Sequence, residues 1–362
     1  MCIRDRSFFA QEAFGRPGLA LVVGWVVLCS GVLSLATVSV AFAGYMSGLV
    51  PSLPPHVTIV AVLGLLAAIN FRGMRESSTT NIVATLVELT GLLIVIVAGA
   101  LFIGRSPDVS VAETFELGQS VGWRGIASGA ALGFFAFIGF EDMVNVAEEV
   151  KDPGRNMPRA ILIALFVSGI VYLLVVVVAT TVVAPETLAD AEAPLLTVVE
   201  RATDKVPGGL FSLIALFAVA NTGLLNFIMG SRLIYGMSRQ GLLPEALGRV
   251  HPTRRTPHWA ILAVFLVALA LALSGTLTYL AGTTSLLLLL VFFTVHAALL
   301  VIKRRNEPDT RTFCAPRFVP LLGALSCLAL MPFVPSGSLL TALVILALGG
   351  IVVALRTRRE SD

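Results

Sequence analysis

The most regular feature of the sequence is the alternation of long apolar runs with short polar segments. Most apolar runs contain about 16 to 27 residues, enough for a helix to cross a hydrocarbon core of ~30 Å at ~1.5 Å per residue. These runs predict ten membrane-spanning helices, at about 18–49, 56–71, 81–103, 125–147, 160–183, 209–235, 258–274, 283–302, 318–335 and 338–355. Alternating segments of ~10 residues, typical of transmembrane β-barrels, are absent from the sequence. The pattern therefore predicts an all-α polytopic membrane protein.

The overall composition agrees with a membrane-embedded chain. Of the 362 residues, 57% are hydrophobic and 13% are charged, and the mean hydropathy is +0.92. This balance excludes a soluble globular protein, because too few polar residues are available to cover its surface.

The distribution of positive charge predicts the orientation in the membrane. When the ten spans are threaded alternately across the bilayer, all but four of the 25 Lys and Arg residues fall on one side. The four exceptions are Arg105, Arg124, Arg201 and Lys205. Loops rich in Lys and Arg remain in the cytoplasm. We therefore expect a multi-pass protein of the cell membrane with both termini in the cytoplasm.

Several function classes have no support in the sequence. The four cysteines and four histidines are scattered and show no metal-binding spacing. There is no phosphate-binding loop for a nucleotide, no cluster of catalytic His, Asp or Cys residues, and no repeated selectivity-filter sequence. The sequence thus predicts neither a cofactor nor a metal site, and no nucleic-acid partner. It does not favour an enzyme, a nucleotide-driven pump or a channel.

One apolar segment combines a glycine with an acidic residue at membrane depth. It reads Phe135-Ala136-Phe137-Ile138-Gly139-Phe140-Glu141. An ionisable group in hydrocarbon is costly, so its usual role is on a substrate or ion path. A helix break at membrane depth is tolerated where it lines a cavity or packs on protein. We interpret the segment as a broken helix at the binding site of a small polar solute. The alternative is a packed glycine kink beside a core phenylalanine.

Two stretches resemble the amino acid–polyamine–organocation superfamily of permeases. The first, similar to the family's sixth helix and the loop after it, comprises residues 133–141, Ala147-Glu148-Glu149-Val150-Lys151-Asp152-Pro153 and Arg155-Asn156-Met157-Pro158. The second, similar to the end of the eighth helix and the next loop, comprises residues 230–244, Val250-His251-Pro252 and Thr256-Pro257. The stretches occur in the family's order, and the similarity covers essentially everything after residue 6.

The resemblance implies a five-plus-five inverted-repeat transporter fold. In this fold the substrate is held between broken helices one and six near the membrane midplane. The ten spans match the family's helices three to twelve, so we expect a truncated permease that lacks helices one and two. Residues 7–355 would form the permease domain and residues 356–362 a basic cytoplasmic tail. Residues 1–6 read as a non-native leader.

The resemblance also implies a function. It suggests secondary active transport of amino acids or related amines by alternating access, coupled to protons. The implied partners are the amino acid substrate, protons and the lipid bilayer, while the oligomeric state stays open. The substrate-binding residues would be Phe135, as an aromatic gate, together with Ala136, Phe137, Ile138, Gly139 and Thr222.

Two acidic residues are the candidates for coupling and gating. Glu88 lies in the third span, where a carboxyl group without a nearby cation tends to be protonated, and it could carry a proton. Several relatives in the family have a lysine here, so their mechanism does not transfer unchanged. Glu141 matches an acidic position tied to gating. Either group could instead be structural, and an amino acid exchanger without proton coupling would not need Glu88.

Polar and small residues within the spans suggest helix contacts. Asn221 and Thr222 interrupt the sixth span; Thr222 is the better candidate for the site, and interhelical hydrogen bonding explains both residues equally well. Glycines at four-residue spacing mark close helix approaches. The series Gly125, Gly129, Gly133 is predicted to be a stronger contact than the glycines of the third span, Gly91 and Gly99.

Overall fold

A computed structural model describes residues 17–73, 78–115, 122–140, 150–305 and 315–361. Within these ranges the chain forms thirteen α-helices and no strand, which confirms the all-α prediction. The helices are α1 (Pro17–Leu49), α2 (Pro55–Arg72), α3 (Ser78–Arg105), α4 (Val111–Thr114), α5 (Gly122–Gly133), α6 (Pro153–Val182), α7 (Pro185–Asp190), α8 (Pro194–Ala202), α9 (Gly208–Arg239), α10 (His258–Ser274), α11 (Leu277–Arg305), α12 (Phe318–Leu330) and α13 (Ser336–Ser361). Short 3-10 helices lie at Phe134–Phe137, Glu245–Gly248 and Met331–Phe333.

Seven of the helices described are long and apolar enough to cross a membrane: α1, α2, α3, α6, α9, α11 and α13. Two of the other predicted spans correspond to shorter apolar helices, α10 and α12 with the 3-10 turn that follows it. The predicted span 125–147 contains most of α5 and its 3-10 extension, and its residues 141–147 lie outside the described ranges. The chain is therefore a polytopic helical membrane protein, and the threading of all ten segments stays a prediction.

Helix α1 occupies the centre of the bundle. It packs against α2, α9, α10, α11 and α13. Leu33, Leu35 and Ala36 on this helix are at most 1% exposed. In the most apolar 18-residue stretch of α1, 56% of the residues are buried, compared with 11% in the corresponding stretch of α6. A helix that is apolar on all sides can be enclosed by neighbours, whereas an equally apolar helix at the edge of the bundle faces lipid.

The glycine contacts differ from those predicted. A Cβ atom on Gly91 would lie 3.0 Å from the Ile214 side chain of α9, and one on Gly99 would overlap the Val178 side chain of α6. By contrast, a Cβ atom on Gly129 or Gly133 would have no atom of another described helix within 4 Å.

Among the described residues, the prediction that the Gly125 series makes the stronger contact is therefore wrong at Gly129 and Gly133. The buried residues of α5 are Ala127 and Ala131. Each lies two positions from the glycines, and two residues at ~100° per residue place the glycines on the opposite face of the helix. Residue spacing identified a stripe of small residues, but not the face of α5 that packs.

The connection between α6 and α9 forms two short helices, α7 and α8, which pack over one end of the bundle. Val198 and Val199 of α8 are fully buried in a cluster with Val95 of α3. The Ser47 hydroxyl at the end of α1 donates a hydrogen bond to Oε2 of Glu192 at 2.6 Å. This segment, which the sequence predicts to be the longest outer loop, is therefore an ordered cap on α1 and α3.

Candidate functional site

The predicted break in the fourth span is confirmed. Helix α5 ends at Gly133, a 3-10 turn covers Phe134–Phe137, and Ile138 is extended, with φ −68° and ψ 134°. The amide of Ile138 donates to the carbonyl of Phe135 at 3.2 Å and closes this turn. Gly139 follows with φ 126°, a conformation that a residue with a Cβ atom rarely adopts. The glycine is thus what allows the chain to leave the helix at this point.

Aromatic contacts hold the break between two helices. Phe137 meets Tyr172 of α6 edge-on, with 5.3 Å between the ring centroids. Phe134 and Phe140 both contact Phe292 of α11, at centroid distances of 5.9 and 5.7 Å. The Phe137–Tyr172 and Phe134–Phe292 pairs are edge-to-face, a geometry that adds stability beyond the apolar area that they bury, whereas the Phe140 and Phe292 rings are tilted at 35°. The segment is therefore attached to α6 on one side and to α11 on the other.

Phe135 differs from these neighbouring phenylalanines. Its side chain is partly exposed and makes no ring contact with the parts of the chain that the structure describes. Ala136 and Gly139 are exposed, and Ile138 is partly exposed. The backbone and side chains here are accessible to a ligand. Glu141, the predicted gating residue, lies outside the described residues.

Glu88 is located on α3, and its side chain is half-buried. Nδ2 of Asn221 on α9 donates a hydrogen bond to Oε1 of Glu88 at 3.0 Å. Helix α3 packs against both α6 and α9. The hydrogen bond thus joins the Glu88 carboxyl group to one of these two neighbouring helices, α9.

A cavity of about 450 Å³ opens beside Glu88. Its lining residues are Ile82, Thr85, Leu86, Glu88, Asn221, Thr222 and Leu225. The volume falls in the range of about 300–1,000 Å³ that is typical of small-molecule sites. Thr222 borders this cavity, but its hydroxyl donates to the Ala218 carbonyl of its own helix at 3.2 Å. The sequence favoured Thr222 over Asn221, whereas the structure gives Asn221 the direct contact with Glu88.

Tyr172 of α6 is the ring partner of Phe137 at the break. The sequence interpretation missed this residue, because one tyrosine in an apolar helix belongs to no pattern. The available signal was its phenolic hydroxyl within the otherwise apolar run 170–178. The structure thus identifies Tyr172 as a side chain that packs directly against the predicted binding segment.

Other polar side chains in the long helices have structural partners. Nδ2 of Asn226 donates to the Ser34 hydroxyl of α1 at 3.1 Å, and Nδ2 of Asn70 on α2 donates to the Ser231 hydroxyl at 3.1 Å. No group of three His, Cys, Asp or Glu side chains that could hold a metal ion occurs in the described ranges. The Glu88–Asn221 pair thus stands apart as the one of these three pairs that contains an ionisable group.

Comparisons with known proteins agree on a family. The profile of a family described as amino acid permease matches residues 7–355. The branched-chain amino acid permease BcaP of Bacillus subtilis is 27% identical over 95% of this chain and 77% of its own length. The methylthioribose transporter of the same organism is 28% identical over 95% of this chain and 77% of its own length. The low-affinity putrescine importer PlaP of Escherichia coli is 27% identical over 97% of this chain and 78% of its own length.

Proposed function

Because this chain belongs to the amino acid permease family, we propose that it is a secondary transporter that moves an amino acid or a related amine across the cell membrane. Its relatives are permeases and transporters, not enzymes. Their names include a branched-chain amino acid and a diamine, which supports an amine-bearing solute. The observation that carries the proposal is the helix break at Ile138–Gly139, where Gly139 is exposed and Ile138 partly exposed.

The substrate would bind at the break. Ends of broken helices present unpaired backbone groups and partial charges, which suit the amino and carboxylate groups of an amino acid. Ala136 and Ile138 would supply the backbone contacts, Gly139 would shape the segment beside them, and the partly exposed ring of Phe135 would cover the substrate. Phe137 would fix the position of the segment through its contact with α6.

Protons would drive uptake through Glu88. A charged carboxylate at membrane depth is costly, so a carboxyl group there gains and loses a proton according to its surroundings. The Asn221 amide donates to Oε1 and leaves Oε2 to carry the proton. Glu88 therefore keeps a hydrogen-bond partner in both protonation states. This is a property expected of a carrier that is charged and neutral in turn.

Transport would proceed by alternating access, with both termini in the cytoplasm. Glu141 and Thr222 remain proposed members of the site, in gating and in substrate contact respectively. The second candidate is an exchanger that swaps one amino acid for another and needs no proton. The two proposals differ in the role of Glu88, because an exchanger would work equally well without an ionisable group at this position.

Reconstitution into proteoliposomes tests the proposal. The panel should contain radiolabelled leucine, putrescine and methylthioribose, the last as a solute without an amine. We expect saturable uptake of leucine or putrescine that rises when the outside is acidified. Absence of saturable uptake for every member would contradict transport by this protein. Uptake that requires substrate inside the vesicles and ignores the pH gradient would favour the exchanger.

A further inference from the structure

We propose that a groove on α3 binds an anionic phospholipid, with one acyl chain along the helix and the phosphate group at Lys205. The groove has a volume of about 370 Å³ and lies between α3 and the segment that connects α8 to α9. We call it the α3 groove. Its lining residues include Leu93, Val97 and Leu101 of α3 and Thr203, Lys205 and Val206 of the connecting segment. It shares no lining residue with the cavity beside Glu88, so this inference does not depend on the proposed transport function.

The α3 side of the groove suits a hydrocarbon chain. Leu93, Val97 and Leu101 follow one another at four-residue intervals along one face of the helix, and each is more than half exposed. The groove residues on α3 extend from Thr90 to Leu101, a distance of about 16 Å at ~1.5 Å per residue. This is about half of a hydrocarbon core of ~30 Å. The stripe therefore has the length of an acyl chain that occupies one leaflet.

Lys205 lies at the end of the groove where α3 ends. Helix α3 meets α9 at the Glu88–Asn221 hydrogen bond and where a Cβ atom on Gly91 would approach the Ile214 side chain. Residue numbers rise along α3 while those of their partners on α9 fall, so the two helices run antiparallel. The residues just before α9 therefore lie beside the last turns of α3.

The positive charge at this end complements a lipid phosphate. Lys205 lines the groove in a turn where its amide donates a hydrogen bond to the Thr203 hydroxyl at 3.2 Å. Arg105, the last residue of α3, follows Leu101 by about one turn and so lies beyond the apolar stripe on the same face. Both basic side chains are exposed, and the described residues that line the groove include no carboxylate. Two cations at the end of an apolar groove match a phosphate that is attached to acyl chains.

The opposite end of the groove offers little to a polar solute. The Thr90 hydroxyl donates a hydrogen bond to the Leu86 carbonyl of its own helix at 2.7 Å. The groove is therefore apolar along α3 and polar near Lys205. This division suits a molecule with a charged head and a hydrocarbon tail.

The test measures lipid binding to the purified full chain by native mass spectrometry in detergent. The probes are phosphatidylglycerol and phosphatidylcholine with identical acyl chains, which differ in net headgroup charge. Lys205→Gln and Arg105→Gln each remove one cation, and Arg124→Gln is the matched control, because this exposed basic residue lies on α5 and does not line the groove. Val97→Trp fills the apolar part of the groove. Its control is Val176→Trp, at a valine of similar exposure on α6.

We expect the wild type to bind one phosphatidylglycerol about 25-fold more tightly than phosphatidylcholine, which is about fivefold for each of two cations. Lys205→Gln and Arg105→Gln should each weaken phosphatidylglycerol binding about fivefold and leave phosphatidylcholine binding unchanged. Val97→Trp should weaken the binding of both lipids. Lys205→Arg, which keeps the charge, and the two controls should match the wild type.

Four results would overturn the inference. Equal affinity for the two lipids, or an equal loss in Arg124→Gln, would show that the groove does not recognise the headgroup charge. Unchanged binding in Val97→Trp would place the lipid elsewhere. Weakened binding in Lys205→Arg would indicate a structural role for this residue. A disulfide between two chains with Val97→Cys, in a background without the native cysteines, would show that a second copy of the chain covers the groove.

Discussion

Asn221 donates a 3.0 Å hydrogen bond to the carboxyl group of Glu88, which joins α9 to α3 across the cavity. Both residues are only partly buried. The hydrogen bond therefore has two consequences. It gives the Glu88 carboxyl group a polar partner within an apolar helix, and it holds together two helices that line the same cavity. The chemical and the structural consequence each predict a different measurable effect.

The structural consequence predicts energetic coupling between the two side chains. In a double-mutant cycle of Glu88→Ala and Asn221→Ala, measured by unfolding in detergent, we expect an interaction energy of about 0.6–2 kcal/mol. The control pairs Glu88→Ala with Asn226→Ala, because Asn226 bonds to Ser34 instead. That pair should be additive. An equal coupling energy in both cycles would show that the bond to Asn221 is not what is being measured.

The chemical consequence predicts a separation of coupling from binding in Glu88→Gln. The glutamine oxygen can still accept the hydrogen bond from Asn221, but the side chain cannot release a proton. We expect normal substrate exchange at equal pH and no accumulation when the outside is acidified. The two assays must use the same vesicles. Persistent pH-driven accumulation would assign the carrier role to another acid, and Glu141 would be the next candidate.

Phe135→Ala should weaken substrate binding without unfolding the protein. The ring is partly exposed, so its removal costs little packing, while the loss of an aromatic cover should raise KM about tenfold. Phe134→Ala is the control, because Phe134 packs on Phe292. It should lose about 0.5–1.5 kcal/mol of stability from the aromatic pair. A KM that changes in Phe134→Ala and not in Phe135→Ala would move the ligand to the other face of the segment.

Gly139→Ala should impair transport through backbone strain and not through a clash. Apart from Gly139 and its two chain neighbours, no atom of the described residues lies within 4 Å of an added Cβ, yet the φ of 126° disfavours any residue with a side chain. Holding such a conformation costs about 1–3 kcal/mol. Gly129→Ala is the control, since a Cβ atom also fits there and the residue is helical. We expect the thermal midpoint to fall in Gly139→Ala and not in Gly129→Ala.

The membrane orientation predicts opposite labelling of two engineered cysteines. In a background without the native cysteines, Glu192→Cys should react with an impermeant maleimide from outside intact cells, because it precedes α8 on the sparsely charged side. Arg304→Cys, at the end of α11, should react only after the cells are opened. Labelling of both positions from the same side would contradict the ten-span threading.

The sequence determined the helical membrane class, the positions of the helices and the place of the break. These features follow from local properties. The length of an apolar run decides whether a helix can cross a bilayer, and a glycine permits backbone conformations that interrupt a helix. The predicted bounds 258–274 coincide with those of α10. The chain is extended at Ile138 and has a positive φ at Gly139, the two residues at which the sequence predicts the break.

Only the tertiary structure decided which side chains meet. Glu88 and Asn221 stand on two helices, and no pattern along one helix reveals its rotation relative to another when every face is apolar. For the same reason, spacing could not tell that Gly91 and Gly99 pack closely while Gly129 and Gly133 do not. Helix rotation is fixed by the fit of neighbouring side chains, which depends on distant parts of the chain. The hydrogen bond between Glu88 and Asn221 is therefore a property of the packed bundle and of no single span.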